Sequence, residues 1–323
     1  MRILNGSDLS RLLSPIALIS AVEDGLHAYA RGQISVPMRH HVDWSKGTLL
    51  VMPAVGPDVL GVKCVSVVPG NAIRHVPTAS GVMILIEAAT GMPCAILDAA
   101  LLTARRTGAI GAVSLKLMTP ADVDSIGIIG TGVQAAWQAI SACSVRPIER
   151  IFYLARSTKS ERCFVDTLAR HVPYVSLRSC SDVVDLLNRT SVVIAATTST
   201  VPVLPDDPAI LRGKHFVSVG SFKSTMQELP TTVYRLAGRV IVDSDAVHEE
   251  AGDIINSVKG GVISASDVSH LADLLSGQCA IDIHDTTAFK SVGMALYDLC
   301  AAQALFKEAL RTGAGSEVNW GDE

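Results

Sequence analysis

Between Ser125 and Ala135 the chain reads Ser-Ile-Gly-Ile-Ile-Gly-Thr-Gly-Val-Gln-Ala, an apolar run that turns through Gly130-x-Gly132-x-x-Ala135 straight into helical sequence. Each small residue has its own reason to be there. Gly130 permits the tight turn, Gly132 lets the backbone approach a phosphate, and Ala135 allows close packing of helix on strand. The helix start adds free N–H groups and the positive end of a dipole, which together attract an anion. A glycine-rich turn alone is a weak signal, but a strand before it and a helix after it supply the context that a dinucleotide site requires. Gly130, Thr131, Gly132, Val133 and Gln134 are therefore the expected pyrophosphate contacts, and redox chemistry is the expected use.

From Ser125 onward short apolar runs alternate with helical stretches, the pattern of a doubly wound parallel sheet. Strands are expected at 125–129, 151–155, 174–177, 191–197, 215–220 and 239–243, with helices at 132–144, 159–171 and 181–188. Runs such as Val192-Val-Ile-Ala-Ala are apolar without alternation, as strands covered on both faces must be. The preceding sequence differs. Ser14-Pro15 marks a helix start, and that helix runs to about Arg31. Strand-like runs follow at 47–52, 60–68, 81–87 and 93–97, then a helix from Thr103 to about Met118. A last helix is expected over about 290–312, with Val292, Ala295, Leu296, Leu299, Ala302 and Leu305 at helical spacing. The expected fold class is thus α/β, a Rossmann-type doubly wound sheet over 119–299 joined to an α+β domain of residues 1–118 and about 300–323.

The chain's 323 residues, 49% of them hydrophobic, suffice for two cores. A net charge of -4 without basic runs argues against nucleic acid or an anionic membrane as partner. No apolar run is long enough to span a bilayer, and Met1-Arg-Ile-Leu-Asn-Gly leads into polar sequence, so a cytoplasmic protein with a small-molecule partner is expected. The seven cysteines contain no C-x-x-C pair, which leaves no zinc or disulfide pattern, and they read as buried thiols. No metal is expected.

In an NAD site an acidic residue at the end of the second strand accepts hydrogen bonds from the ribose 2′-hydroxyl. Here that strand ends Leu154-Ala-Arg156-Ser157-Thr-Lys159. Arg and Lys attract a 2′-phosphate and Ser can donate to it, so NADPH is preferred and NADH remains possible. Thr197 and Thr198 end another strand, where the crevice of such sheets faces its ligand.

On the substrate side, Lys63 is the most anomalous charge, standing inside Leu60-Gly-Val-Lys-Cys-Val-Ser-Val-Val. An ammonium there needs a counter-charge, a ligand or an exit at a sheet edge. Arg39, in Val36-Pro-Met-Arg39, and Arg106, in Leu102-Thr-Ala-Arg-Arg-Thr-Gly, are the best clamps for a carboxylate. Neighbours on a helix point about 100° apart, so only one of Arg105 and Arg106 faces the site. Thr78, after Pro77, is a lesser candidate donor.

These pieces together resemble the ornithine cyclodeaminase/mu-crystallin family over nearly the whole chain. The resemblance is carried by Val36-Pro-Met-Arg39, Gly61-Val-Lys63, Pro77-Thr78 with Gly81, Thr90-Gly-Met-Pro93, Leu102–Thr107, the Gly130 motif, Val219-Gly-Ser221 and Phe289-Lys-Ser-Val-Gly-Met-Ala-Leu-Tyr-Asp298. It implies a homodimer whose first domain supplies the substrate groups and the dimer interface. It also implies that Arg39, Lys63 and Arg106 bind substrate, with Thr78 a lesser contact. Within the same segments Ser221, Lys290 and Gly293 are expected cofactor contacts. The family holds ornithine cyclodeaminases, alanine dehydrogenases, ketimine reductases and mu-crystallins. Its cyclodeaminases carry an acidic residue at the position that falls on Phe222 here, and an apolar ring cannot hold a second ammonium. Asp98-Ala99 also stands where the family usually has Asp-Gly. The implied activity is NADPH-dependent reduction of a cyclic ketimine acid, Δ1-pyrroline-2-carboxylate or Δ1-piperideine-2-carboxylate, with Lys63 orienting the substrate or relaying a proton. Alanine dehydrogenation, ornithine cyclodeamination and non-catalytic binding are the rivals.

Overall fold

The computed structural model describes residues 1–74 and 76–320. The chain divides into two compact units, the first made of Met1–Arg106 and the residues from Met294 onward, the second of Thr107–Gly293. The division falls inside one helix, Ala99–Met118.

Among the described residues, the first unit is built on a seven-stranded sheet. It comprises β1 (Arg2–Leu4), β2 (His40–Trp44), β3 (Gly47–Val55), β4 (Val59–Val67), β5 (Ala79–Glu87), β6 (Pro93–Asp98) and β15 (Ser316–Glu317), in the order β15-β1-β6-β5-β4-β3-β2. From β2 to β6 each strand pairs antiparallel with the next, so the neighbours are joined by short loops. One face of this sheet carries Met52, Ala54, Met83, Leu85, Ala95 and Leu97, all buried. The helix Pro15–Ala30 begins as expected, with the Ser14 hydroxyl accepting from Ala17 N and Pro15 in the first turn. It buries Leu18, Ile19, Val22 and Leu26 along one stripe. The helix Ala295–Thr312 lies against β4, where Gly61 makes room: a Cβ there would stand 2.8 Å from Leu299 Cδ1.

The second unit holds an eight-stranded sheet, parallel throughout. Its strands are β7 (Ser125–Ile129), β8 (Arg150–Leu154), β9 (Ser176–Ser179), β10 (Val192–Ala195), β11 (His215–Ser218), β12 (Val240–Val242), β13 (Val268–His270) and β14 (Thr287–Lys290), ordered β13-β12-β14-β11-β10-β7-β8-β9. The chain runs β7-β8-β9 one way and then returns to β10 on the far side of β7. That reversal is the crevice where open α/β sheets bind ligands, and the glycine turn sits at its mouth. Residues of β7, β10, β11 and β14 are buried throughout, which explains their unbroken apolar character.

Several expected boundaries shift. The last helix starts at Ala295, because Thr287–Lys290 is a buried strand and Gly293 takes φ 85°, a left-handed conformation that breaks the backbone before the helix. The helix expected from Thr103 starts at Ala99, where the Asp98 carboxylate accepts from Leu101 N at 2.8 Å. Strands β1, β2, β13, β14 and β15 were not expected from periodicity, being short or exposed. The cysteines are not uniformly buried: Cys180 and Cys300 are, but Cys163 is exposed. No described helix is long and apolar enough to cross a membrane.

Candidate active site

Lys63 extends from the middle of β4, between Met52 of β3 and Met83 of β5. It is 2% exposed, so its ammonium is almost entirely removed from water. The counter-charge it requires is Asp298, whose Oδ2 lies 2.7 Å from Lys63 Nζ; Nζ also reaches Thr103 Oγ1 at 3.3 Å. Asp298 is fully buried, and its Oδ1 accepts from Arg106 Nε at 3.0 Å. Arg106 Nη1 is buried too and has no hydrogen-bond partner among the described residues. A guanidinium held at one edge with a bare N–H at the other is built for a second anion.

Burial drags the Lys63 ammonium down to about 8. Asp298 opposes that shift, whereas the positive charges of Arg106 and Arg39 add to it. The influence of Arg39 places its guanidinium within electrostatic reach of Lys63. Two cations thus converge on one carboxylate with a third within electrostatic reach, and the surplus positive charge in a dry site favours an incoming anion.

The neighbouring arginine faces elsewhere. Arg105 donates to the carbonyls of Leu9, Leu12 and Leu13 and fastens the turn after the helix Gly6–Arg11. Thr78 is exposed just ahead of β5, its carbonyl accepting from Val68 N at 2.7 Å. Asp298 is the site residue that sequence reading did not single out. The signal was present: a lone carboxylate in Ala295-Leu-Tyr-Asp-Leu-Cys-Ala-Ala is as anomalous as Lys63 in its strand.

In the second unit the glycine turn takes the shape its sequence demands. Gly130 has φ 96°, and a Cβ there would lie 2.7 Å from the Ala196 carbonyl oxygen. Gly132 is the N-cap of the helix Val133–Cys143, with open space where a Cβ would be and no side chain capping the first turn. The leading N–H groups of that helix are left for a ligand. Gln134 Oε1 lacks a partner among the described residues, and the Thr131 hydroxyl pairs with Ser160 Oγ at 2.9 Å. These features fit a pyrophosphate.

Beyond β8, Arg156, Ser157 and Lys159 are exposed, and the Ser157 hydroxyl accepts from Ser160 N as N-cap of the helix Thr158–His171. The nearest following carboxylate, Glu161, accepts from Tyr153 Oη at 3.0 Å. After β10, Thr197 is tied to Glu228 through both its N–H and its hydroxyl, while Thr198 is exposed. Ser221 is buried, its hydroxyl donating to Asp253. Lys290 is fully buried, donating to Ser221 O at 2.7 Å, Ser221 Oγ at 2.6 Å and Ser218 Oγ at 3.1 Å. Gly293 is buried as well, its N–H donating to Asp243 at 2.8 Å.

The chain matches the model of the ornithine cyclodeaminase/mu-crystallin family over residues 3–313. It is 30% identical to the Delta(1)-pyrroline-2-carboxylate reductase of Bacillus cereus, an alignment covering 99% of this chain and 100% of that protein. Among solved structures it superposes on the Delta(1)-pyrroline-2-carboxylate reductase of Thermococcus litoralis in complex with NADH and L-proline, with a TM-score of 0.92, 31% identity and coverage of 98% and 100%. An archaeal alanine dehydrogenase dimer with bound NAD gives a TM-score of 0.90 at 26% identity, with 99% of each chain covered.

Proposed function

The chain belongs to the ornithine cyclodeaminase/mu-crystallin family, and on that premise we propose that it reduces a cyclic ketimine acid, Δ1-pyrroline-2-carboxylate first and Δ1-piperideine-2-carboxylate second, to L-proline or L-pipecolate. The observation that carries this is the buried Lys63–Asp298–Arg106 cluster with the unpaired Nη1 of Arg106. A reduced nicotinamide dinucleotide supplies the hydride when bound. Arg106 and Arg39 grip the carboxylate of the imino acid, and Lys63 fixes its orientation from the side. The ring nitrogen enters protonated, so its carbon is already electrophilic and the site needs no separate acid before reduction. Asp298 keeps Lys63 charged and Arg106 turned. By the family resemblance, Phe222, which is half-buried, stands where cyclodeaminases carry a carboxylate, and an apolar ring offers no charge to a second amine.

NADPH is the preferred donor in this reading. The end of β8 presents Arg156, Ser157 and Lys159, which attract a 2′-phosphate or donate to it, while Glu161 accepts from Tyr153. The substrate unit forms a homodimer through the outer face of its sheet. Val51, Pro53, Val62, Val82, Ile84 and Ile96 lie on that face, opposite the packed one, and Val82 is 41% exposed. An apolar sheet face of this extent calls for a partner. The similar alanine dehydrogenase is itself a dimer.

The test is a panel of cyclic imino acids and open-chain keto acids with ammonia, each assayed with NADPH and NADH. Turnover of a five- or six-membered cyclic imine with NADPH is the expected result. Brisk turnover of pyruvate and ammonia with none on either imine would replace this reading with an alanine dehydrogenase. Dinucleotide binding without turnover of any acid would indicate a ligand-binding protein. Sedimentation velocity reads the dimer.

A further inference from the structure

At the C-terminal ends of β10 and β11 two loops meet backbone to backbone. A Cβ on Gly220 would stand 2.0 Å from the Thr197 carbonyl oxygen, so only glycine fits. Both loops are bound to one carboxylate, that of Glu228, which is fully buried. Its Oε1 accepts from Thr197 N at 2.6 Å and Thr197 Oγ1 at 2.9 Å. Its Oε2 accepts from Ser218 Oγ at 2.8 Å, Gly220 N at 2.7 Å and Ser221 N at 3.2 Å. Asp253, also fully buried, anchors the segment that carries Glu228, accepting from Glu228 N at 3.0 Å and Leu229 N at 2.9 Å. Lys290 closes the cluster, its Nζ 3.8 Å from Asp253 Oδ2 and bonded to Ser218 and Ser221.

Two carboxylates and an ammonium without solvent are a costly way to hold loops unless the loops must be held in one shape. The end of β8 lies on one side of the switch point, at the adenosine side of such a site; β10 and β11 lie on the other. We propose that Glu228 is a positioning residue that sets the Thr197 and Gly220–Phe222 loops in the conformation that receives the nicotinamide half of the cofactor. It touches neither cofactor nor substrate and acts through the backbone N–H groups it binds. This rests on reading the second unit as a dinucleotide site.

The isosteric variant Glu228→Gln separates the possibilities. Whichever way its amide turns, the NH2 group meets a backbone N–H donor, Thr197 on one side or Gly220 on the other. Direct titration of NADPH, followed by its fluorescence, should give a Kd about ten- to a hundredfold higher than wild type, ~1.4–2.7 kcal/mol at RT ln K. The KM for dinucleotide should rise with it while that for imine is held. A variant that was merely less stable would keep the wild-type Kd in its folded fraction, measured after gel filtration. Should Glu228→Gln not fold, Ser218→Ala, which removes one donor to the same carboxylate, should still raise the Kd severalfold. An unchanged Kd and KM in whichever variant folds overturns the proposal. Failure of the wild-type protein to bind either dinucleotide overturns the cofactor reading instead.

Discussion

Replacing Asp298 by Asn changes one buried charge and little volume, yet it should undo both the packing and the chemistry of the first unit. Its two oxygens lie 2.7 Å from Lys63 Nζ and 3.0 Å from Arg106 Nε. At an effective dielectric of about 20, each contact is worth roughly 5–6 kcal/mol of gross attraction, which desolvation largely offsets while the carboxylate is present. An Asn oxygen serves one cation, and its NH2 then faces the other. Breaking a buried pair in this way costs about 3–5 kcal/mol, which lowers Tm by about 10–20 °C in a unit of this size. The influence holding the Lys63 ammonium up is also gone, while burial, Arg106 and Arg39 still press it down from about 8. The alkaline limb of kcat/KM should therefore move to lower pH. Lys63→Met behaves oppositely: it leaves the balanced Asp298–Arg106 pair and removes an ammonium that burial disfavours. Its Tm should match or exceed wild type while imine turnover collapses. Calorimetry and pH–rate profiles of the two variants decide the matter. An Asp298→Asn protein with unaltered Tm and an unmoved alkaline limb would refute the reasoning.

In the wild-type protein kcat/KM should fall above about pH 8 as free Lys63 loses its proton, and the fall should vanish in Lys63→Arg, which stays charged. Stability should trend the other way: above about pH 8 and up to the ordinary lysine value of 10.5, the unfolded Lys63 keeps a proton that the folded one has lost. Its contribution to stability then rises with pH across that window, measurable as the difference between wild-type and Lys63→Met denaturation curves. Arg106→Lys keeps a positive charge but loses the fork, so kcat/KM on the imine should drop by roughly ten- to a hundredfold, the worth of a charge-assisted hydrogen bond, with dinucleotide affinity unaffected. Gly130→Val should abolish NADPH binding and lower Tm, since it forces a β-branched residue to φ 96° against the Ala196 carbonyl; a variant that binds with wild-type Kd would argue against the turn as the pyrophosphate site.

The strand–glycine–helix at Ser125–Ala135, the capped helix at Pro15 and the buried parallel strands were legible in the sequence because their causes are local. Backbone conformations, caps and apolar runs act over a few residues, and each left its mark within such a window. Lys63 was legible as a problem, a charge with nothing nearby to neutralise it. Its solution was not, because Asp298 is 235 positions away and no short-range rule couples the two. Helical geometry required that Arg105 and Arg106 point apart, but which one met the carboxylate depended on where the turn at Leu9–Leu13 and the helix at Ala295 came to lie. Glu228 was invisible for a similar reason: five donors from two segments converge on it only after β10 and β11 are paired. Local preference chose the elements and the glycine turn; the partners of the buried charges were chosen by the packing of distant segments, since electrostatic need is felt only once water has been excluded.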